Sequence, residues 1–403
     1  MEQLFEPARH EALHGEPWNE AAALAAVREL AAVAQAAFDP ERGWLAHPLD
    51  DPREPDEHTH TLHWGSGGVV WALEHLARAG ATPRQHGFGG FVQGLVARNR
   101  AQRGEQPHGL HSFLLGDAGL LMLQWSLHPS DEVAAALLAV ARANLHNTTR
   151  EQLWGSPGTL LAAIFMAEAT GRPEWGALLR EGVQVLWDEM EPSAPLGGAW
   201  LWVQDMCGYQ EPLLGAGHGL AGNLFPVLRG ARWLDPAQVQ AFTERGLQTL
   251  QATALRADGA INWPPEAVLP PGRKLKLLAQ DCHGAPGILC RLATAPRSDA
   301  WDELLIGAGE LTWRAGPLIK GASVCHGMAG SALALLKLWR RTGDAVWLDR
   351  ARALALHALG QVRQHRQQYG MGRHSLWTGD LGVACVLWGC VTGVDTFPTL
   401  DAV

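Results

Sequence analysis

The chain has 403 residues, 47% hydrophobic and 18% charged, a balance that can bury a large core and excludes an intrinsically disordered protein. Its net charge of −9 comes without any block of Lys and Arg, so neither nucleic acid nor an anionic membrane surface is an expected partner. The opening "MEQLFEPARHEALHGEPWNE" has no apolar signal core and no later stretch holds 18 unbroken apolar residues, so a soluble, cytoplasmic protein is expected, with six cysteines too sparse for a disulfide scaffold.

In chain order, amphipathic segments alternate with apolar ones. The first, "EAAALAAVRELAAVAQAAF" at 20–38, has a polar stripe, and "GSGG" at 65–68 then opens the apolar run "VVWALEHLARA". The same succession recurs with "GFVQGLVARNRA" at 90–101 before "GDAG" at 116–119, and "DEVAAALLAVARANL" at 131–145 before "GSPG" at 155–158. It continues with 174–190 before "GLAG" at 219–222, 235–255 before "GAPG" at 284–287, 300–316 before "GMAG" at 327–330, and 345–364 before "GDLG" at 379–382. Asp235 before Pro236 reads as a helix start, with an N-cap oxygen and a proline set for the first turn.

Seven Gly-x-x-Gly copies, 39 to 65 residues apart, are an internal repeat joined by loops of unequal length. Length alone suggests two or three domains, but the repeat favours one domain over 1–403. Period-two alternation is absent and Ala and Leu dominate, so strands have almost no support. The expected fold class is all-α, an α/α double-layered barrel of seven inner and seven outer helices. Each glycine motif would open an inner helix, letting backbones approach closely and leaving free N–H groups at the mouth. The Pro-rich stretches 192–196 and 264–272, and the acidic, histidine-bearing 47–63, read as surface connections.

If the seven motifs are equivalent in space, the residues just before them form a ring: His63-Trp64, Leu114-Leu115, Leu153-Trp154, Gly217-His218, Cys282-His283, Cys325-His326 and Trp377-Thr378. Metal-capable groups fall in three consecutive repeats. Zinc favours tetrahedral N/S ligation, and a catalytic site keeps one position open, as Cys282, Cys325 and His326 would; adding His283 would close it. The residues alone do not choose between His283 and His326. The remaining cysteines, Cys207, Cys290, Cys385 and Cys390, read as small buried hydrophobes, "HTHTLH" at 58–63 as a solvated or capping stretch, and Asp117 and Asp380 as helix caps.

The pair "DCHGAPG" and "VCHGMAG", with "GAGHGLAGN" at 215–223 and "SLWTGDLG" at 375–382, resembles the lanthionine synthetase C-like proteins across nearly the whole chain. That resemblance implies an α/α toroid holding one zinc ion through Cys282, Cys325 and His326. It also implies His218 as the acid/base histidine and Glu151 as the acidic residue near the metal. The chain departs from the family pattern at Asp281, where Trp is common, at Leu278, where a basic residue is frequent, and at Glu151, where peptide cyclases often carry Asp.

Two thiolates and one imidazole leave zinc formally neutral, so an incoming thiol can bind as a third thiolate and stay nucleophilic. The resemblance implies dehydroalanine or dehydrobutyrine as the electrophile. Addition there needs a proton at the α-carbon, for which His218 is the first candidate, with Glu151 orienting it, and His283 the second. The thiol is expected from a cysteine of the same dehydrated peptide, made by a partner dehydratase, or from glutathione added to a dehydrated protein. Two other classes fit less well: a carbohydrate-cleaving toroid using two of Asp117, Glu151, Asp281 and Asp380, and a non-catalytic zinc-containing binding module.

Overall fold

The computed structural model describes residues 3–14, 16–103 and 109–403. Outer and inner helices alternate along it. Outer α1 (Glu20–Ala36) precedes inner α2 (Ser66–Arg78), and outer α3 (Gly89–Gln93) with α4 (Leu95–Arg103) precedes inner α5 (Asp117–Leu127). Outer α6 (Asp131–Ala143) and α8 (Pro173–Asp188) precede inner α7 (Ser156–Thr170) and α9 (Leu220–Arg229). Outer α10 (Pro236–Thr253), α12 (Asp299–Ala315) and α14 (Ala345–Tyr369) precede inner α11 (Ala285–Leu292), α13 (Met328–Thr342) and α15 (Asp380–Thr392). The α/α toroid of seven inner and seven outer positions is therefore present, with the second outer position split in two at Gly94.

The two layers begin differently because their surroundings differ. Outer helices meet water, and Asn19, Ser130, Asp235, Ser298 and Asp344 each accept a first-turn N–H through a side-chain oxygen. Inner helices all start at the first glycine of a motif, with no side-chain cap. Their leading N–H groups are not free at the mouth as the sequence suggested. In α2, α5, α9, α13 and α15 they donate to carbonyls seven residues upstream, for example Gly67 N to His60 O at 3.2 Å, Leu220 N to Leu213 O at 3.0 Å and Met328 N to Gly321 O at 3.0 Å, while in α11 Ala285 N donates to Asn262 Oδ1 at 2.9 Å. In those five helices backbone thus replaces side chain as the cap. Asp117 and Asp380 accordingly do not cap; Arg100 of α4 and Arg366 of α14 pair with them, with Nε at 2.8 Å and 3.0 Å.

The second glycine of each motif locks neighbouring repeats together. A Cβ on Gly68, Gly119, Gly158, Gly222, Gly287, Gly330 or Gly382 would overlap the carbonyl oxygen of the residue three places before its own motif. It would also press on the corresponding side chain of the preceding repeat, Leu62 against Gly119 and so on round to Leu376 against Gly68. That last contact closes the ring. Only glycine leaves room for both neighbours.

Among the described residues there are also three short antiparallel hairpins, which the sequence reading did not anticipate: β1 (Glu191–Ser193) with β2 (Ala199–Leu201), β3 (Gln204–Met206) with β4 (Tyr209–Glu211), and β5 (Leu255–Ala257) with β6 (Ala260–Asn262). Three-residue strands are too short to show alternation. Their turns were legible, since Asp258-Gly259 both take positive φ, as a two-residue hairpin turn requires. Nor is 47–63 wholly a surface connection: His47 and His60 to His63 are buried where the loop descends into the mouth.

Candidate metal centre

Six of the seven residues two places before a first glycine are joined by backbone hydrogen bonds into a belt at the mouth. Gly217 N donates to Cys282 O at 3.3 Å, Cys282 N to Cys325 O at 3.2 Å, and Cys325 N to Trp377 O at 3.0 Å. Trp377 N continues to His63 O at 3.1 Å, and His63 N to Leu114 O at 3.0 Å. Cys282 and Cys325, 43 residues apart in the chain, thereby become direct neighbours.

From this belt the ligand atoms of Cys282, Cys325 and His326 converge, all within 4.8 Å of one another. Cys325 Sγ lies 3.6 Å from His326 Nε2, and Gln280 Nε2 donates to Cys282 Sγ at 2.9 Å. The two sulfurs are buried, at 5% and 8% exposure. Two sulfurs and one imidazole nitrogen with room for a fourth ligand fit a tetrahedral divalent ion, zinc above all. Hydrogen bonds from Cys325 and His326 hold the Cys282 thiol well below its ordinary pKa, while the shared proton and burial push Cys325 well above. The two histidines differ in position: His326 lies with the two sulfurs, whereas His283 turns to stack on His218 with ring centroids 5.6 Å apart, its Nδ1 buried without a partner.

Across the belt, His218 and Glu151 form a pair. His218 Nδ1 lies 2.8 Å from Glu151 Oε2. The carboxyl is fully buried and also accepts from Leu153 N at 2.9 Å, from Trp154 N, and from Gly155 N at 3.3 Å at the start of α7. Because Leu153 N is spent on Glu151, the belt does not continue through that repeat. With both oxygens surrounded by donors, Glu151 accepts as a carboxylate and His218 Nδ1 carries a proton, which leaves Nε2 for chemistry. Burial would lower the His218 pKa, but the charge and hydrogen bond of Glu151 outweigh it and hold the value above normal.

A cavity of about 140 Å³ joins these parts, lined by Cys282, Cys325, His326 and His218 together with His63, Gln152, Asp281, Arg291 and Trp377. Sequence reasoning missed Gln152 and Arg291 altogether, gave His63 and Trp377 a place in the ring but no role, and offered Asp281 only as a carboxylate for sugar cleavage. His63 and Trp377 belong to the ring expected before the glycine motifs, and they stack there with centroids 6.0 Å apart, although "HTHTLH" read as a solvated or capping stretch. Arg291 sits inside an apolar helical run, a buried charge that was itself a signal. Of the four carboxylates considered for sugar cleavage only Asp281 lines the cavity, and Arg291 grips it at 3.0 and 2.9 Å. No second carboxylate faces it among the described residues.

A family model described as lanthionine synthetase C-like protein matches residues 43–401. The LanC-like protein GCL1 of Arabidopsis thaliana is 33% identical over 195 residues, 46% of this chain and 42% of that protein, so the chain spans less than half of that relative's length in the match. Glutathione S-transferase LANCL1 of Danio rerio is 28% identical over 327 residues, 75% of this chain and 74% of that protein. Among solved structures, nisin cyclase aligns with a TM-score of 0.61 at 13% identity, covering 83% of this chain and 92% of that one, a likeness of fold. No helix among the described residues is long and apolar enough to cross a membrane.

Proposed function

Since this chain belongs to the lanthionine synthetase C-like family, we propose that it is a zinc-dependent enzyme that joins a thiol to dehydroalanine or dehydrobutyrine in a peptide, making a thioether. The observation that carries this is the convergence of Cys282, Cys325 and His326 on one cavity with the uncommitted Nε2 of His218. Zinc held by those three ligands would lower the pKa of an incoming thiol so that its sulfur is a nucleophile at neutral pH.

The chain's own residues account for the remaining needs. The belt fixes both cysteines in place before any substrate arrives, so little ordering remains to be done on binding. Glu151 keeps the His218 proton on Nδ1 and stabilises the imidazolium, making Nε2–H an acid aimed at the cavity. The thiol gives up its proton to solvent or base, its sulfur bonds to the β-carbon, and the carbon–carbon double bond takes up a proton at the α-carbon from His218. The net change is addition of S–H across C=C. His283, stacked behind His218 and pushed down by burial, is a neutral neighbour suited to relaying that proton.

The thiol in this proposal is a cysteine of the same dehydrated peptide, with a separate dehydratase preparing the substrate. A second donor, glutathione added to dehydrated protein residues, is favoured by the printed activity of the Danio rerio relative, which aligns over three-quarters of this chain. Six free cysteines suit the reducing cytoplasm, and the working unit is the whole toroid over 1–403.

The test is to incubate the zinc-loaded protein with a dehydroalanine peptide bearing an internal cysteine, and with a cysteine-free one plus glutathione. Mass spectrometry then follows loss of free thiol or gain of one glutathione. Zinc at one ion per chain and turnover of one substrate are expected, and Cys325→Ala should lose both. Full turnover by zinc-stripped protein, or a zinc-bound wild type that turns over neither substrate, would overturn the proposal.

A further inference from the structure

Three residues before each first glycine, seven side chains form a layer beneath the mouth: Leu62, Phe113, Gln152, Ala216, Asp281, Val324 and Leu376. None is more than 2% exposed. Five are apolar. The two exceptions, Gln152 and Asp281, come from different repeats and are tied to one guanidinium, that of Arg291 in α11. Arg291 Nη1 and Nη2 donate to Asp281 at 3.0 and 2.9 Å, and Nε donates to Gln152 Oε1 at 2.9 Å. Taking such charges out of water is costly, and apolar side chains fill the equivalent space in the other repeats. Packing therefore does not account for the cluster.

The cluster faces the cavity that holds Cys282, Cys325, His326 and His218. Arg291 Nε can only donate, so Gln152 must turn its oxygen toward it, which aims the amide nitrogen away. That nitrogen, Nε2, is buried and has no hydrogen-bond partner. A buried donor left unpaired is destabilising unless something else satisfies it. Arg291 also keeps two of its five N–H groups uncommitted, three being used on Asp281 and Gln152.

We infer that Gln152 Nε2 is a catalytic oxyanion donor, receiving the carbonyl oxygen of the dehydrated residue on which negative charge builds during thiol addition. Arg291 is the positioning residue that fixes the amide, and Asp281 fixes Arg291. This rests on the thiol-addition function proposed above. As the sulfur electron pair forms the bond to the β-carbon, the C=C pair moves to the bond between the α-carbon and the carbonyl carbon, and the carbonyl pair moves onto oxygen. The Gln152 hydrogen bond strengthens as that charge grows. When the pair returns, the α-carbon takes the proton held by His218. A fixed donor in a cavity shielded from water serves this purpose better than solvent does.

The test uses full-length, zinc-loaded protein and the same dehydroalanine peptides. Gln152→Glu keeps an oxygen for Arg291 Nε but removes the N–H donors; Gln152→Met removes both without adding charge. For each, kcat is expected to fall about 10²–10³-fold with KM little changed. Zinc stoichiometry should stay at the wild-type value in both, while Gln152→Met, which strands Arg291 Nε without its acceptor, should lower the thermal midpoint. Exchange of the α-proton of the thioether product in deuterated water, which reports formation of the enolate alone, should slow in parallel. Wild-type kcat in both zinc-bound variants, or a rise in KM alone, overturns the inference while leaving the proposed function standing. A wild type that adds no thiol to either peptide removes both.

Discussion

At the scale of single residues, Glu151 is the most constrained group near the mouth, with three backbone N–H groups and one imidazole on two oxygens. Its charge is what keeps His218 protonated against burial. A base whose pKa is raised stays charged through its ordinary titration range and loses the proton only as pH climbs through the raised value. A rate that needs the acid form of His218 should therefore fall on the alkaline side. Replacing Glu151 with Gln removes the charge, so that alkaline limb should move to lower pH and kcat should drop roughly 10²-fold, with zinc still bound. A pH–rate profile of zinc-loaded Glu151→Gln checks this, and an unmoved limb would reduce Glu151 to a loop-bracing residue. His218→Ala should abolish turnover and leave zinc content unchanged, which metal analysis beside the activity assay would show.

The helix scale is governed by where glycine has no substitute. Gly158, in the first turn of α7, sits between the carbonyl of Gln152 and the Cβ of Phe113, so a methyl group there has nowhere to go. Gly158→Ala should cost about 1–3 kcal/mol, the usual range for an overpacked site. Gly360 offers the opposite case: it lies exposed within α14 with nothing inside 4 Å of its missing Cβ. Gly360→Ala should gain about 0.5–1 kcal/mol, because alanine is the better helix former and has fewer unfolded conformations to lose. Denaturant unfolding of both variants measures the contrast; equal effects would mean that the second glycines are turn markers and nothing more.

For the molecule as a whole, ring closure brings the first and last repeats together and buries His47 and His374 between them, while His60 is buried between the first and second. His47 lies beside Arg373 and Asp50, His60 near Arg98 and His58, and His374 near Arg366 and His47; burial first, then the neighbouring cations, lowers each to about 4. In the unfolded chain each would titrate near 6.5. Between about pH 6.5 and 4 the unfolded state thus binds more protons than the folded one, so stability is complete above this window and is lost as pH falls through it. Urea midpoints measured from pH 7.5 to 4.5 should decline below about 6.5, and His374→Gln should flatten the slope. A midpoint that holds constant to pH 4.5 would show that these rings charge without unfolding the toroid.

The sequence by itself determined the repeat number, the alternation of outer and inner helices, and the two Cys-His-Gly motifs. Each is written in local features, helical periodicity and glycine where a side chain would collide, so neighbours along the chain suffice to specify it. Local pattern does not separate His283 from His326, a choice that only the family resemblance implied; the tertiary structure sets them apart, His283 against the His218 ring and His326 beside the sulfurs. The same holds for Asp117 and Asp380, whose arginine partners arrive from outer helices. Arg291, too, meets Gln152 across 139 positions of sequence. Side-chain direction and long-range approach are settled by closing the toroid, and no local stretch of sequence carries that closure.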